Sequence, residues 1–304
     1  MHRMTNLRVH IALPPPFSFA HTVSAARYYS VLGIATRQGT YRRVLRLGDS
    51  LALAEFAPAG ASGVEARLLT ASGPVDAALF EARARWMLNP ALDLGPLYAL
   101  ARHDPALERM IAPLYGLRAF RLDSVFESLM VTMIEQQIAL SMAQTAERWL
   151  VSTYAEALDY EGARYFSFPT PERMAALTVA DLTPLKITFK RMERLLVIAR
   201  AIADGSLVLE PYAADPDALY PLLLALHGVG HWTASWALMR ASGQFRYFGR
   251  ADVALRSAAN RHFEGRPGRM HGDALDALFA RFGDQAGMAA FYLLTAYEHA
   301  KEKR

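Results

Sequence analysis

The sequence predicts an α+β protein: a small N-terminal antiparallel β-sheet domain with helices, followed by an all-helical body. Three observations carry this expectation. Strand-like alternation is confined to roughly the first 70 residues, Gly-rich turn clusters punctuate that region, and from Val75 onward apolar residues recur at helical spacing. Strands grouped first and helices afterwards argue against alternating βαβ units.

The elements follow in chain order. Leu7, Val9, Ile11 and Leu13 alternate with polar positions, the period of a half-buried strand. A short helix is expected over residues 21–29. Tyr41–Leu47 and residues 51–56 flank Gly48-Asp49-Ser50, which predicts a hairpin, and residues 64–70 add a strand after Gly60-Ala61-Ser62-Gly63. Helices are then expected over residues 77–87 and 95–102. Residues 124–154 form a long apolar-periodic stretch with Phe126, Leu129, Met130, Met133 and Ile134 on one face. Thr170 caps the next helix and Pro171 suits its first turn. Phe189–Ala203 is helical and basic. Residues 216–225 and 231–241 are helices separated by a glycine turn, and residues 252–263 and 271–297 finish the chain. There is no internal repeat.

Composition narrows the chemistry. At 304 residues, 53% hydrophobic and 20% charged, the chain is expected to be a soluble globular protein. No apolar run approaches the ~18–20 residues that span a bilayer, and the polar start followed by Pro14, Pro15 and Pro16 offers no secretory signal. The expectation is a cytoplasmic, bacterial-type protein. The absence of cysteine excludes disulfides, thiolate zinc sites, iron–sulfur clusters and cysteine nucleophiles. A net charge of +4 permits a nucleic-acid partner without requiring one. Only four of the 33 basic residues are lysines, which a GC-rich genome explains as well as phosphate recognition does. The histidines show no metal-binding spacing, and neither a nucleophile elbow nor a phosphate loop occurs.

The informative segment is Leu226-His227-Gly228-Val229-Gly230-His231-Trp232-Thr233-Ala234. Gly228 and Gly230 allow a tight turn with unobstructed amides, and the following helix start completes an anion site suited to a DNA phosphate. Val229 is expected to plug the core between the two helices, and Thr233 to add a hydroxyl contact. The plainer alternative is an ordinary helical hairpin whose glycines cap a helix. Some twenty residues on, Phe248-Gly249-Arg250-Ala251-Asp252 precedes another helix, so Asp252 is at minimum an N-cap.

A glycine hairpin followed at this distance by an Asp on a Gly-containing loop resembles the helix–hairpin–helix DNA glycosylase superfamily, in the branch of 3-methyladenine DNA glycosylase II. The resemblance extends over Tyr41-Arg42-Arg43, Asp104-Pro105-Ala106-Leu107, Gly116-Leu117-Arg118, Phe126-Glu127, Ile134-Glu135-Gln136-Gln137-Ile138 and Phe168-Pro169-Thr170-Pro171-Glu172. It implies an N-terminal domain over residues 1–90 and a two-lobed helical core over residues 91–304. The middle lobe would be about 123–244, and the second lobe about 91–122 plus 245–304.

It also implies roles. Asp252 would stabilise the oxocarbenium-like sugar and orient or deprotonate the attacking water. Trp232 stands where bifunctional members of the superfamily carry a Schiff-base lysine, which implies a glycosylase without lyase chemistry. Trp232 and Trp236, spaced i and i+4, share a helix face, and with Tyr297 they would line the pocket for a flipped base; the alternative for each is core packing. An electron-rich box favours cationic bases, hence alkylated purines. Gln137 falls at the position that fills the gap left by the flipped nucleotide, where an apolar residue is usual in the branch; solvent exposure is its alternative. Glu135 stands where a small residue is frequent. Arg250 and Arg256 are candidates for phosphate contacts, as are Arg191 and Arg194, although such arginines are mostly a solvated face. Carbonyls of Leu226 and Gly228 are expected to bind a structural monovalent cation, with no cofactor required. The expected partner is double-stranded DNA with a damaged base, bound by a monomer. Two other readings stay open: a glycosylase for deaminated or oxidised bases, and a DNA-binding module without catalysis.

Overall fold

The computed structural model describes residues 7–247 and 250–302. Five strands form one antiparallel sheet: β1 (Arg8–Ala12), β2 (Ile34–Ala35), β3 (Tyr41–Leu47), β4 (Ser50–Pro58) and β5 (Gly63–Ala71), in the order β1-β5-β4-β3-β2. Helix α1 (Phe19–Ala26) lies between β1 and β2 in the chain, with Ser18 capping its start. The predicted hairpin is present. Leu47 pairs with Ser50, so Gly48 and Asp49 alone make the turn, and Gly48 takes φ +61°, which a glycine adopts without strain.

Helices α2 (Ala77–Leu88), α3 (Gly95–Ala101) and α4 (Pro105–Ile111) follow, then α5 (Val125–Glu135) and α6 (Leu140–Tyr154). The expected stretch over residues 124–154 is therefore two helices. Gln136 leaves the helical region and Gln137 takes φ +56°, which reverses the chain between them. A two-stranded ribbon comes next, β6 (Ala157–Tyr160) and β7 (Ala163–Phe166), where only helices were expected. Its turn, Glu161-Gly162, has positive φ at both residues, the conformation that matches strand twist in a two-residue hairpin. The ribbon covers one face of the sheet: Leu158 and Tyr165 pack on Val44, Leu51, Leu53 and Leu69. The opposite face contributes Leu45, Phe56 and Val64 to the main core. With both faces covered, β4 is buried almost throughout, which explains its apolar run.

The remaining helices are α7 (Pro171–Ala175), α8 (Phe189–Ala203), α9 (Pro216–Leu224), α10 (His231–Ser242), α11 (Val253–Glu264), α12 (Gly272–Ala280) and α13 (Ala286–Glu302). The single stretch expected over residues 271–297 is thus α12 and α13, parted by a turn at Gly283 with φ +50°.

Two hydrophobic clusters organise the molecule. One gathers α5, α8, α9 and most of α10 around Leu129, Leu195, Leu223 and Leu238. The other unites the sheet with α1 to α4 and α11 to α13. The boundary expected near residue 90 therefore does not coincide with a break in packing, since sheet residues and Leu97, Leu107 and Tyr292 belong to one continuous core. A buried pair crosses between the clusters. Arg43 of β3 donates through Nη2 to both oxygens of Glu127 on α5, at 2.5 and 2.7 Å, and through Nη1 to Ser30 at 2.8 Å. Among the described residues no helix is long and apolar enough to cross a membrane.

Candidate active site

Asp252 is the N-cap of α11, as its sequence context predicts. Its Oδ1 accepts from the Leu255 backbone N–H at 2.8 Å. Its other oxygen has a second task. Oδ2 accepts from the indole N–H of Trp232 at 2.7 Å and from that of Trp236 at 3.2 Å. The i, i+4 spacing on α10 makes this convergence possible, because one helix face delivers both rings to the same atom. The carboxylate is 9% exposed and takes three donors, which leaves about one of its roughly four acceptor positions uncommitted. A carboxylate so held is fixed in rotamer as well as in position.

Asp252 lines a recess between α10, the Phe245–Tyr247 segment, α11 and α13, with about 330 Å³ of empty space, open solvent at its mouth included. The lining is mostly apolar and aromatic: Trp236, Phe245, Tyr247 and Phe291 face it, and among the described residues Asp252 is the only ionisable carboxylate or amine there. The recess depends on Gly287. A Cβ at that position would lie 1.7 Å from the Phe245 carbonyl oxygen, so the chain at 245 passes directly over α13.

Two of the three expected pocket aromatics therefore meet at Asp252, and only Trp236 of these lines the recess. Trp232 is half-buried and reaches Asp252 by its edge. Tyr297 is elsewhere. It follows Ala290 by seven residues, on the same stripe of α13 but roughly 10 Å further along the helix. There it lines a second, polar depression with Ser257, Arg261, Gly268 and Arg269, and Arg261 and Lys301 approach its ring. The aromatic walls that sequence reasoning missed are Phe245, Tyr247 and Phe291. Their phase relative to Asp252 depends on where α13 starts, which no local pattern marks.

The hairpin has the expected form. Gly228 takes φ +87°, Val229 is buried in the core between α9 and α10, and its N–H donates to the Leu226 carbonyl at 3.0 Å. Gly230 caps α10 with no side-chain partner, so the first amides of that helix remain open to an anion. Thr233 is 3% exposed, and its hydroxyl accepts from the Gln136 side chain at 2.8 Å. It therefore braces the hairpin from inside rather than adding a surface contact. The same Gln136 amide donates to the Gly228 carbonyl at 3.1 Å. The carbonyls expected to seat a cation each accept one hydrogen bond, Gly228 from Gln136 and Leu226 from Val229, and each keeps a second lone pair.

Gln136 also ties the hairpin to the turn that carries Gln137, which is exposed in a left-handed conformation beside it. Glu135, unexplained by sequence, forms a bidentate pair with buried Arg240 at 2.6 and 2.7 Å, and Arg240 lies 5.5 Å from the Trp236 ring centre. The other arginines divide. Arg250 is exposed and paired with Asp273 and Asp276 on α12. Arg256 donates to the Met270 carbonyl at 2.6 Å, a strap on the loop before α12. Arg191 is buried, and burial followed by the charge of Arg194 lowers its pKa. Phe248 and Gly249, part of the loop motif before Asp252, lie outside the described residues.

No family model matches the chain. A DNA-3-methyladenine glycosylase of Bacillus subtilis is 36% identical over 150 residues, which is 49% of this chain and 49% of the relative. A Mycobacterium tuberculosis protein described as a probable bifunctional transcriptional activator/DNA repair enzyme AlkA is 30% identical over 286 residues, covering 93% of this chain and 56% of its own length. These matches thus span about half of each relative. Among solved structures, a 3-methyladenine DNA-glycosylase from Archaeoglobus fulgidus superposes with a TM-score of 0.77 at 21% identity, covering 94% of this chain and 97% of that one.

Proposed function

We propose that the chain is a member of the helix–hairpin–helix DNA glycosylase superfamily, in its 3-methyladenine DNA glycosylase II branch, and that it is a monofunctional glycosylase for alkylated, cationic purines such as 3-methyladenine. The observation that carries the reading is a carboxylate, fixed by two indole N–H groups and a helix amide, on the wall of an aromatic recess. Among the described residues no lysine lines that recess.

The hairpin amides grip a backbone phosphate of double-stranded DNA while Gln137 enters the stack and the damaged nucleotide turns out. The base rests against Trp236, Phe245, Tyr247 and Phe291, whose π-faces attract a cationic purine more than a neutral one. An N-alkylated purine leaves as a neutral molecule when the glycosidic bond breaks, so it needs no general acid. The bonding pair departs with the base, and the deoxyribose becomes oxocarbenium-like. Asp252 stabilises that charge at short range. Water then adds its oxygen to the anomeric carbon, and its proton passes to Asp252 or to solvent. The products are a free base and an abasic site. The reaction needs no cofactor, and the protein acts as a monomer on cytoplasmic, nucleoid DNA.

Methylated duplex DNA tests this. The expected result is alkali-labile abasic sites in an otherwise intact strand, with no protein–DNA adduct after borohydride treatment. Strand cleavage without alkali, or a trapped adduct, overturns the monofunctional assignment.

A further inference from the structure

We propose that Arg194 is a side-chain phosphate ligand of the hairpin, adding a charged donor to the backbone amides; the inference rests on the DNA-binding reading above. Arg194 projects from α8, a helix outside the hairpin, and its position is set by the bare face of Gly228. A Cβ built on Gly228 would lie 2.5 Å from Arg194 Cδ and 2.7 Å from Nε. The arginine stem therefore crosses the space that only a glycine leaves open. At its end, Nη2 donates to the His227 ring nitrogen Nε2 at 3.3 Å, which holds the guanidinium beside the turn.

Three properties make this group a ligand rather than a solvated charge. It is half-exposed, so its head reaches solvent next to the hairpin amides. It pairs with no carboxylate among the described residues, unlike Arg246 and Arg250, which are both in ion pairs. Its bond to the His227 ring orients the guanidinium without pairing it with a carboxylate, and leaves most of its five donors free. Arg191, whose buried guanidinium donates to the Ile134 carbonyl, adds positive potential on the same helix. Gly228 thus has two reasons to be glycine: its φ of +87° and the side chain lying over it.

The test is the salt dependence of binding to an undamaged duplex. Removing one phosphate contact lowers the slope of log K against log salt by about 0.9, which is about eightfold in affinity at 0.1 M salt. Arg194→Gln is expected to show both changes, and Arg194→Lys to keep the slope. Arg164→Gln, a charge loss on the β6–β7 ribbon that packs on the sheet, is expected to leave the slope as in the wild type. A wild-type slope in Arg194→Gln overturns the proposal, and so does an equal loss in Arg164→Gln. If the wild-type protein itself binds no duplex, the DNA-binding reading fails first, which is a separate result.

Discussion

Asp252→Asn is the perturbation with the most to say, because the two oxygens of Asp252 face different partners. Oδ1 accepts the capping N–H of Leu255, and Oδ2 accepts two indole N–H groups. Asparagine is a good N-cap, yet it has one acceptor. If its oxygen faces the indoles, its amide opposes the Leu255 N–H; if it keeps the cap, its amide opposes two tryptophans. One buried donor set is unsatisfied either way, at a cost of about 1–3 kcal/mol. That is small beside the roughly 5–15 kcal/mol of a typical domain, so the variant is expected to fold with a lowered Tm. Catalysis is affected more. A unit charge about 4 Å from the developing sugar cation, at an effective dielectric constant of about 20, is worth about 4 kcal/mol, or close to a thousandfold in rate. Single-turnover release of base from methylated duplex is the assay, with affinity for an abasic duplex measured alongside. The account expects the rate to fall about a thousandfold while binding persists. A rate within tenfold of wild type would refute the role given to the carboxylate.

Further expectations follow from neighbouring contacts. Trp232→Phe deletes the shorter indole bond to a charged acceptor, worth about 1.5–3 kcal/mol, and single-turnover rates are expected to drop at least tenfold, more than for Trp236→Phe, whose bond is longer. Gly287→Ala forces a methyl into the Phe245 carbonyl; overpacking of this kind costs about 1–3 kcal/mol, and both Tm and base release are expected to fall. Glu147 is 2% exposed with Oε1 unpartnered, and its pKa is raised by burial first and by Glu135 second, with Arg240 opposing. A raised carboxyl contributes stability below its ordinary pKa that is lost as pH climbs through the folded value. Glu147→Gln is therefore expected to raise stability at pH 8 by about 1–3 kcal/mol, with the gain shrinking toward pH 4.5; a pH-independent difference in thermal melts would contradict this.

The β3–β4 hairpin and α8 were legible because local signals and tertiary context agree there: Gly48 in a two-residue turn, and a basic amphipathic run ended by Asp204. The tryptophan pair was legible for the same reason, since i, i+4 spacing needs no knowledge of the rest of the fold. The β6–β7 ribbon was missed although Glu161-Gly162 sits between Leu158, Tyr160 and Tyr165, a weak hairpin signal inside a helical neighbourhood. Tyr297 shows the harder limit. Its stripe on α13 is the right one, but α13 meets the Phe245 segment at Gly287, well before Tyr297, and no local pattern reports that contact. The brace from Gln136 to Gly228 and Thr233 joins residues about a hundred positions apart and was invisible for that reason.

Mass-spectrometric identification of the free bases released by the intact protein tests the central claim most directly. With DNA carrying methylated, deaminated and oxidised purines together, the account predicts 3-methyladenine or a related cationic purine first and fastest. Release of 8-oxoguanine alone would contradict it.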